Sequence, residues 1–176
     1  LMSKDLLNYL NEYTIDSVHI VGHSMGGKAA MTFACKYPKR VEKLVVVDIA
    51  PKYYPPHHQD ILLGLHALDF LILKSRKQAD ETLSKYLSEE GFRQFLLKSL
   101  YWNTKEELTL RFNLKGLSNQ IENIGQALYK NSVFKNPTLF IKGQISNYIE
   151  DTDTELIASH FPDFEITEIP NAGHWV

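Results

Sequence analysis

Short unbroken apolar runs alternate along the chain with longer stretches in which apolar residues recur every three or four positions. Residues 3–13 follow the helical period, with Leu6, Leu7 and Leu10 on one side and Lys4, Asp5, Asn8, Asn11 and Glu12 on the other. Val18-His19-Ile20-Val21 is brief, β-branched and closed by Gly22, the pattern of a strand covered on both faces. Residues 28–37, rich in Ala, Met and Phe and stopped by Pro38, predict a helix. Residues 43–49 are a second buried strand, ended by Pro51. Strand, helix, strand in so short a span is one βαβ crossover unit.

Beyond Pro51 the pattern changes. Pro51, Pro55 and Pro56 with Tyr53 and Tyr54 predict a stiff, aromatic-rich linker at the surface or at a cleft mouth. Residues 60–73, 76–87, 91–100 and 114–128 carry helical periods with charged faces, and 108–112 alternates like a short strand. After Pro137 the buried-strand pattern returns: strand 138–141, helix 153–161, strand 164–169, then the loop Asn171-Ala172-Gly173-His174-Trp175. The expected organisation is an α/β core over residues 1–50 and 129–176, interrupted by a mainly helical insert over 51–128. Its sheet is mostly parallel and flanked by helices.

Composition narrows the classes. Hydrophobic residues make up 44% and charged residues 23%, which excludes wholesale disorder. Nineteen Lys and Arg against twenty-one Asp and Glu leave a net charge of −2, so no broad field draws nucleic acid or anionic lipid. Cys35 stands alone and cannot form an intramolecular disulfide. No run reaches the roughly 20 apolar residues of a bilayer span. The first residues lack the basic-then-apolar order of a signal peptide. These features lead to the expectation of a cytoplasmic protein with no membrane or nucleic-acid partner. The helix before the first strand and the stop soon after His174 further suggest a partial domain.

The sharpest chemical signal is Gly22-His23-Ser24-Met25-Gly26-Gly27, a G-x-S-x-G pattern between a buried strand and a helix. A serine on so tight a turn presents its Oγ, the glycines on either side keep side chains out of the turn, and the Met25 N–H opens the helix where an oxyanion would gather. The bland reading is a Gly-rich helix start with an idle serine. Such a hydroxyl needs a base, and His174, in a Gly-containing loop after the last strand, follows in hydrolase order; alone it reads as a surface histidine. His19 and His23 are weaker candidates, the first embedded in a strand and the second packing the elbow. For the orienting acid, Asp48 stands at the end of the second strand, where a carboxylate between Val47 and Ile49 needs a partner; the alternative is a cap on the turn before Pro51. No carboxylate directly follows strand 138–141. Glu150, Asp151 and Asp153 read as a solvated face and a helix cap, and Ser146 as a hydrogen-bond aid to His174. Adjacent His57 and His58 point different ways and have no accompanying ligand cluster, so no metal is expected. Trp102 and the insert's Phe and Tyr residues line an acyl pocket or form the insert's own core.

Gly22-His23-Ser24-Met25-Gly26-Gly27-Lys28-Ala29, Val47-Asp48-Ile49-Ala50-Pro51 and Ala172-Gly173-His174-Trp175-Val176 together resemble the YbfF-type esterases of the α/β-hydrolase superfamily. The resemblance runs from end to end. It implies a partial α/β-hydrolase fold with a helical cap, and a cofactor-free serine esterase for small-molecule acyl esters or thioesters of short to medium chain. In it Ser24 is nucleophile, His174 base and Asp48 acid. Complete members begin with further strands and a loop supplying a second oxyanion N–H, so that portion is expected to be missing. Acyl transfer on the same scaffold and a non-enzymatic ligand-binding module remain alternatives.

Overall fold

The computed structural model describes residues 2–55, 59–105 and 107–176. The chain divides into two compact units, 1–54 with 124–176, and 55–123.

The first unit begins with helix α1 (Met2–Glu12), which buries Leu10. Strand β1 (Val18–His23) and helix α2 (Met25–Lys36) follow. After a 3₁₀ turn at Pro38–Arg40, strand β2 (Val41–Val47) completes the βαβ unit. It starts before the predicted 43 and ends before the predicted 49, because Asp48 takes φ 49° and leaves the extended region. The core pattern resumes with β5 (Thr138–Gly143) and β6 (Phe164–Ile169), numbered after two strands of the second unit. A 3₁₀ turn (Asp151–Asp153) and helix α8 (Thr154–His160) lie between them, so the predicted helix 153–161 starts one residue later. The sheet order is β1-β2-β5-β6, all parallel. Met31, Phe33, Ala34, Leu44, Val46, Phe140, Ile157 and Phe161 form its core, all at most 1% exposed.

Register positions the candidate site. His23 pairs with Val47, and Val47 with Ile141, so β1 and β2 end level, while β5 and β6 run two residues further to the paired Gly143 and Ile169. Ladder bonds extend just past them: the Ser24 N–H donates to the Val47 carbonyl at 2.9 Å and the Asp48 N–H to the Ile141 carbonyl at 2.8 Å. Functional groups of parallel sheets gather at such carboxyl ends.

The second unit contains helices α3 (Gln59–His66), α4 (Arg76–Leu83) and α5 (Glu90–Leu97). Strands β3 (Leu100–Trp102) and β4 (Leu108–Leu110) and helices α6 (Leu114–Asn119) and α7 (Ile121–Ile124) follow. Leu65, Leu83, Leu97, Leu100 and Leu108 belong to its separate core. Several predicted elements are corrected here. The helix expected over 60–73 ends at His66, although Leu68 and Leu73 remain buried. The helix expected over 91–100 ends at Leu97, and Leu100 instead opens β3, which pairs antiparallel with β4; antiparallel pairing buries alternate leucines as well as a helix face would. The helix expected over 114–128 breaks into α6 and α7 and stops before Gly125. There the backbone must approach Tyr54, whose N–H donates to the Gly125 carbonyl at 2.8 Å, and a Cβ on Gly125 would strike the Tyr54 carbonyl. The Leu128 N–H likewise donates to the Pro51 carbonyl at 3.0 Å, so residues 51–54 and 125–128 run together within the first unit rather than in the insert. No helix among the described residues is long and apolar enough to cross a membrane. His57 and His58 lie outside the described residues.

Candidate active site

Ser24 is the residue before α2 and takes φ 53°, ψ −120°, a conformation costly for any side-chain-bearing residue. A serine in this position ordinarily caps the helix by accepting a backbone N–H through its hydroxyl. Ser24 makes no such bond, because its Oγ lies 2.9 Å from His174 Nε2. A strained backbone and a forgone cap are both costs, and one geometry accounts for both.

The glycines of the elbow play unequal parts. A Cβ on Gly22 would come within 2.5 Å of the Gly26 carbonyl oxygen and 2.8 Å of Gly27 Cα, both backbone atoms that cannot step aside. A Cβ on Gly26 would meet nothing within 4 Å. The steric need expected on both sides of the serine therefore holds at Gly22 and is absent at Gly26. The Met25 N–H is the first of α2, in the turn whose donors have no intrahelical acceptor.

His174 reaches the elbow from the loop after β6. That loop crosses directly over Gly143, where a Cβ would collide with the carbonyls of Ala172 and Gly173. Its Nδ1 lies 2.8 Å from Asp48 Oδ2. A carboxylate only accepts, so Nδ1 carries the proton and Nε2 offers its lone pair to the Ser24 hydroxyl. His23 serves this loop: its Nε2–H donates to the His174 carbonyl at 2.7 Å, and its ring packs against His174 and Trp175. His19 lies on β1 and pairs loosely with Glu42 at 3.6 Å, both side chains well exposed.

Asp48 is fully buried and accepts from three donors: the Gly143 N–H at 3.1 Å on Oδ1, and His174 Nδ1 and the Ser146 hydroxyl on Oδ2. Three donors satisfy the acceptors of a buried carboxylate, which would otherwise be costly to bury. Ser146 was expected to bond His174; it bonds the acid instead, since its loop leaves β5 beside Asp48. Among the other acids considered, Glu150 and Asp151 are exposed, and Asp153 pairs with Lys52 at 2.7 Å.

Sequence reasoning passed over the groups behind the imidazole. The Tyr148 ring stacks on His174 with centroids 3.9 Å apart and planes 20° from parallel, and Tyr54 stacks on Tyr148 in turn at 5.5 Å. Burial, and then the Asp48 charge, raise the Tyr148 phenol above its ordinary range. Burial also raises that of Tyr54. Lys28, which follows the double glycine, is 7% exposed, donates to the Lys52 and Gln126 carbonyls, and lies 5.0 Å from the Tyr54 ring centre. Burial and the neighbouring Lys52 lower its pKa to about 8. Lys52 is itself pulled down by burial but raised overall by its bonds to Asp153 and Glu150. Cys35 is a poor nucleophile, its thiol pushed up to about 11 by burial. Among the described residues no cluster of His, Cys, Asp or Glu could hold a metal ion.

The model of the family described as alpha/beta hydrolase fold matches residues 2–176. The chain is 38% identical to a putative esterase/lipase of Haemophilus influenzae, over 100% of this chain and 60% of that protein. It is 36% identical to the sn-1-specific diacylglycerol lipase ABHD11 of Mus musculus, over 99% of this chain and 59% of the relative. It is 35% identical to esterase YbfF of Escherichia coli, over 99% of this chain and 67% of the relative. The chain thus spans about three fifths of the length of the first two of these relatives. A solved marine microorganism esterase superposes with a TM-score of 0.92 at 36% identity, covering 98% of this chain and 69% of that one. With Ser24, Asp48 and His174 following the carboxyl ends of β1, β2 and β6 in one parallel sheet, these matches assign the chain to the α/β-hydrolase fold family, among relatives named esterase and lipase.

Proposed function

We propose that the chain carries the catalytic machinery of a serine esterase that hydrolyses small-molecule acyl esters or thioesters of short to medium chain. The observation that carries this reading is the continuous hydrogen-bonded line from Ser24 Oγ through the His174 imidazole to a buried, fully bonded Asp48. Ser24 Oγ attacks the acyl carbon while its proton passes to His174 Nε2, and the imidazolium so formed is held by Asp48. The tetrahedral oxyanion draws on the Met25 N–H at the start of α2. Collapse breaks the bond to the leaving alcohol or thiol, which takes the proton from Nε2. Water, deprotonated by the same nitrogen, then releases the acid and regenerates Ser24. The names of the relatives, esterase and diacylglycerol lipase, agree with an ester substrate.

Mass spectrometry after exposure to a fluorophosphonate tests the reading, on this chain and on a version extended at the N-terminus by the family's preceding strands. A single adduct on Ser24 in either is the expected result. A folded, extended protein in which Ser24 takes no adduct would overturn the esterase assignment and favour a ligand-binding role.

A further inference from the structure

We infer that Tyr148 is a positioning residue for His174, its ring face holding the imidazole in plane and favouring the imidazolium formed during turnover. The inference rests on the esterase reading above. His174 is held at its edges by Asp48 on Nδ1 and Ser24 on Nε2, and its own carbonyl is held by His23. Edge contacts at two nitrogens leave one freedom, a roll of the ring about the line joining them. A flat surface on the ring face removes it, and the Tyr148 ring lies 3.9 Å away and 20° from parallel. The contact also changes in strength along the reaction. A neutral imidazole over an aromatic face gains stacking only, whereas an imidazolium gains a cation–π attraction as well. An interaction that strengthens as the proton arrives lowers the barrier rather than merely binding the ground state.

Tyr148 is itself braced. The Tyr54 hydroxyl donates to the Tyr148 carbonyl and accepts from the Ala50 N–H at 2.9 Å, tying the loop after Asp48 to the loop that carries Tyr148. Within the latter loop the Tyr148 N–H donates to Ser146 Oγ at 3.3 Å, and that hydroxyl donates to Asp48. The 146–148 segment thus serves the acid through Ser146 and the base through Tyr148. The Tyr54 ring behind it is packed by Lys28 at 5.0 Å and Lys52 at 5.5 Å from its centre, so the stack has little room to slide.

The test compares Tyr148→Leu, Tyr148→Met and Tyr148→Phe with the native protein. The readouts are kcat and KM on p-nitrophenyl butyrate, the rate of fluorophosphonate labelling of Ser24, and the melting temperature. The non-aromatic variants should lose about tenfold in kcat and in labelling rate, the scale of one half-buried cation–π contact. Their KM should stay within about twofold, and phenylalanine should restore kcat to within about threefold of native. The methionine variant carries the comparison if the leucine variant does not fold. Folded Leu or Met variants with native kcat would overturn the inference, as would a phenylalanine variant as slow as they are. If Ser24 of the native protein takes no label at all, the esterase reading falls first. A labelled Ser24 indifferent to residue 148 removes the positioning role alone.

Discussion

Replacing Asp48 by asparagine probes the whole line of proton transfer, and the bonds around Asp48 say what should happen. Oδ1 must accept from the buried Gly143 N–H, while Oδ2 accepts from His174 Nδ1 and from the Ser146 hydroxyl. An asparagine that keeps its oxygen toward Gly143 turns its NH₂ toward His174. The histidine answers by moving its proton to Nε2, and Ser146 by accepting instead of donating, so every buried group stays bonded. The imidazole is then in the wrong tautomer, pointing a hydrogen at Ser24 where a lone pair is needed. Flipping the amide restores the tautomer but sets NH₂ against the Gly143 N–H. A buried donor left unsatisfied costs about 1–3 kcal/mol, or roughly 5- to 150-fold in the working population. Loss of the negative charge facing the imidazolium adds to this, and the same substitution in another triad reduces turnover by about 10⁴. The expected fall in kcat is therefore about 10²–10⁴, with a melting temperature within a few degrees of native because the bonds are remade. Ester hydrolysis under saturating p-nitrophenyl butyrate, paired with thermal unfolding, measures both. A folded Asp48→Asn protein within tenfold of native kcat would refute the reasoning and return Asp48 to a turn-capping role.

Ser24→Ala should abolish fluorophosphonate labelling and lower turnover by about 10⁶, leaving the melting temperature near native or above it, since the Ser24 side chain makes no capping bond to the helix that alanine would lose. Gly22→Ala should destabilise by about 1–3 kcal/mol in urea unfolding, because the added methyl meets the backbone of Gly26 and Gly27. Gly26→Ala, with open space in the first turn of a helix, should instead stabilise by up to about 1 kcal/mol; equal effects at the two glycines would refute the steric account. Lys28 binds its proton less tightly when folded, at about 8 against an ordinary 10.5. Between those values the unfolded chain holds the proton that the folded chain has released, so this group makes stability rise with pH across that window and leaves a constant deficit below it. Urea unfolding at pH 7, 8, 9 and 10 should show that rise in the native chain and a smaller one in Lys28→Met.

The core strands, the elbow and the chain order of Ser24 and His174 were legible in the sequence because each depends on neighbours along the chain. Continuous β-branched runs closed by Gly or Pro specify buried strands, and the G-x-S-x-G spacing specifies a turn whose torsions are local. Asp48 could be argued only from the cost of burying a carboxylate, with a cap as the rival reading. What the sequence could not supply is the register, which brings His174, 126 positions away, to within 2.8 Å of Asp48. The partner of Ser146, the collision that requires glycine at 143, and the Tyr54–Tyr148–His174 stack were unreadable for the same reason. In the second unit the helical period read over 91–100 spans the end of α5 and the start of β3, because buried leucines at such spacing suit a helix face and an antiparallel strand alike. Periodicity determines which face of an element is buried and chain torsions determine a turn. Only the packing of whole elements across the sheet determines which distant side chains meet, because that distance sums over every strand pairing and loop between them.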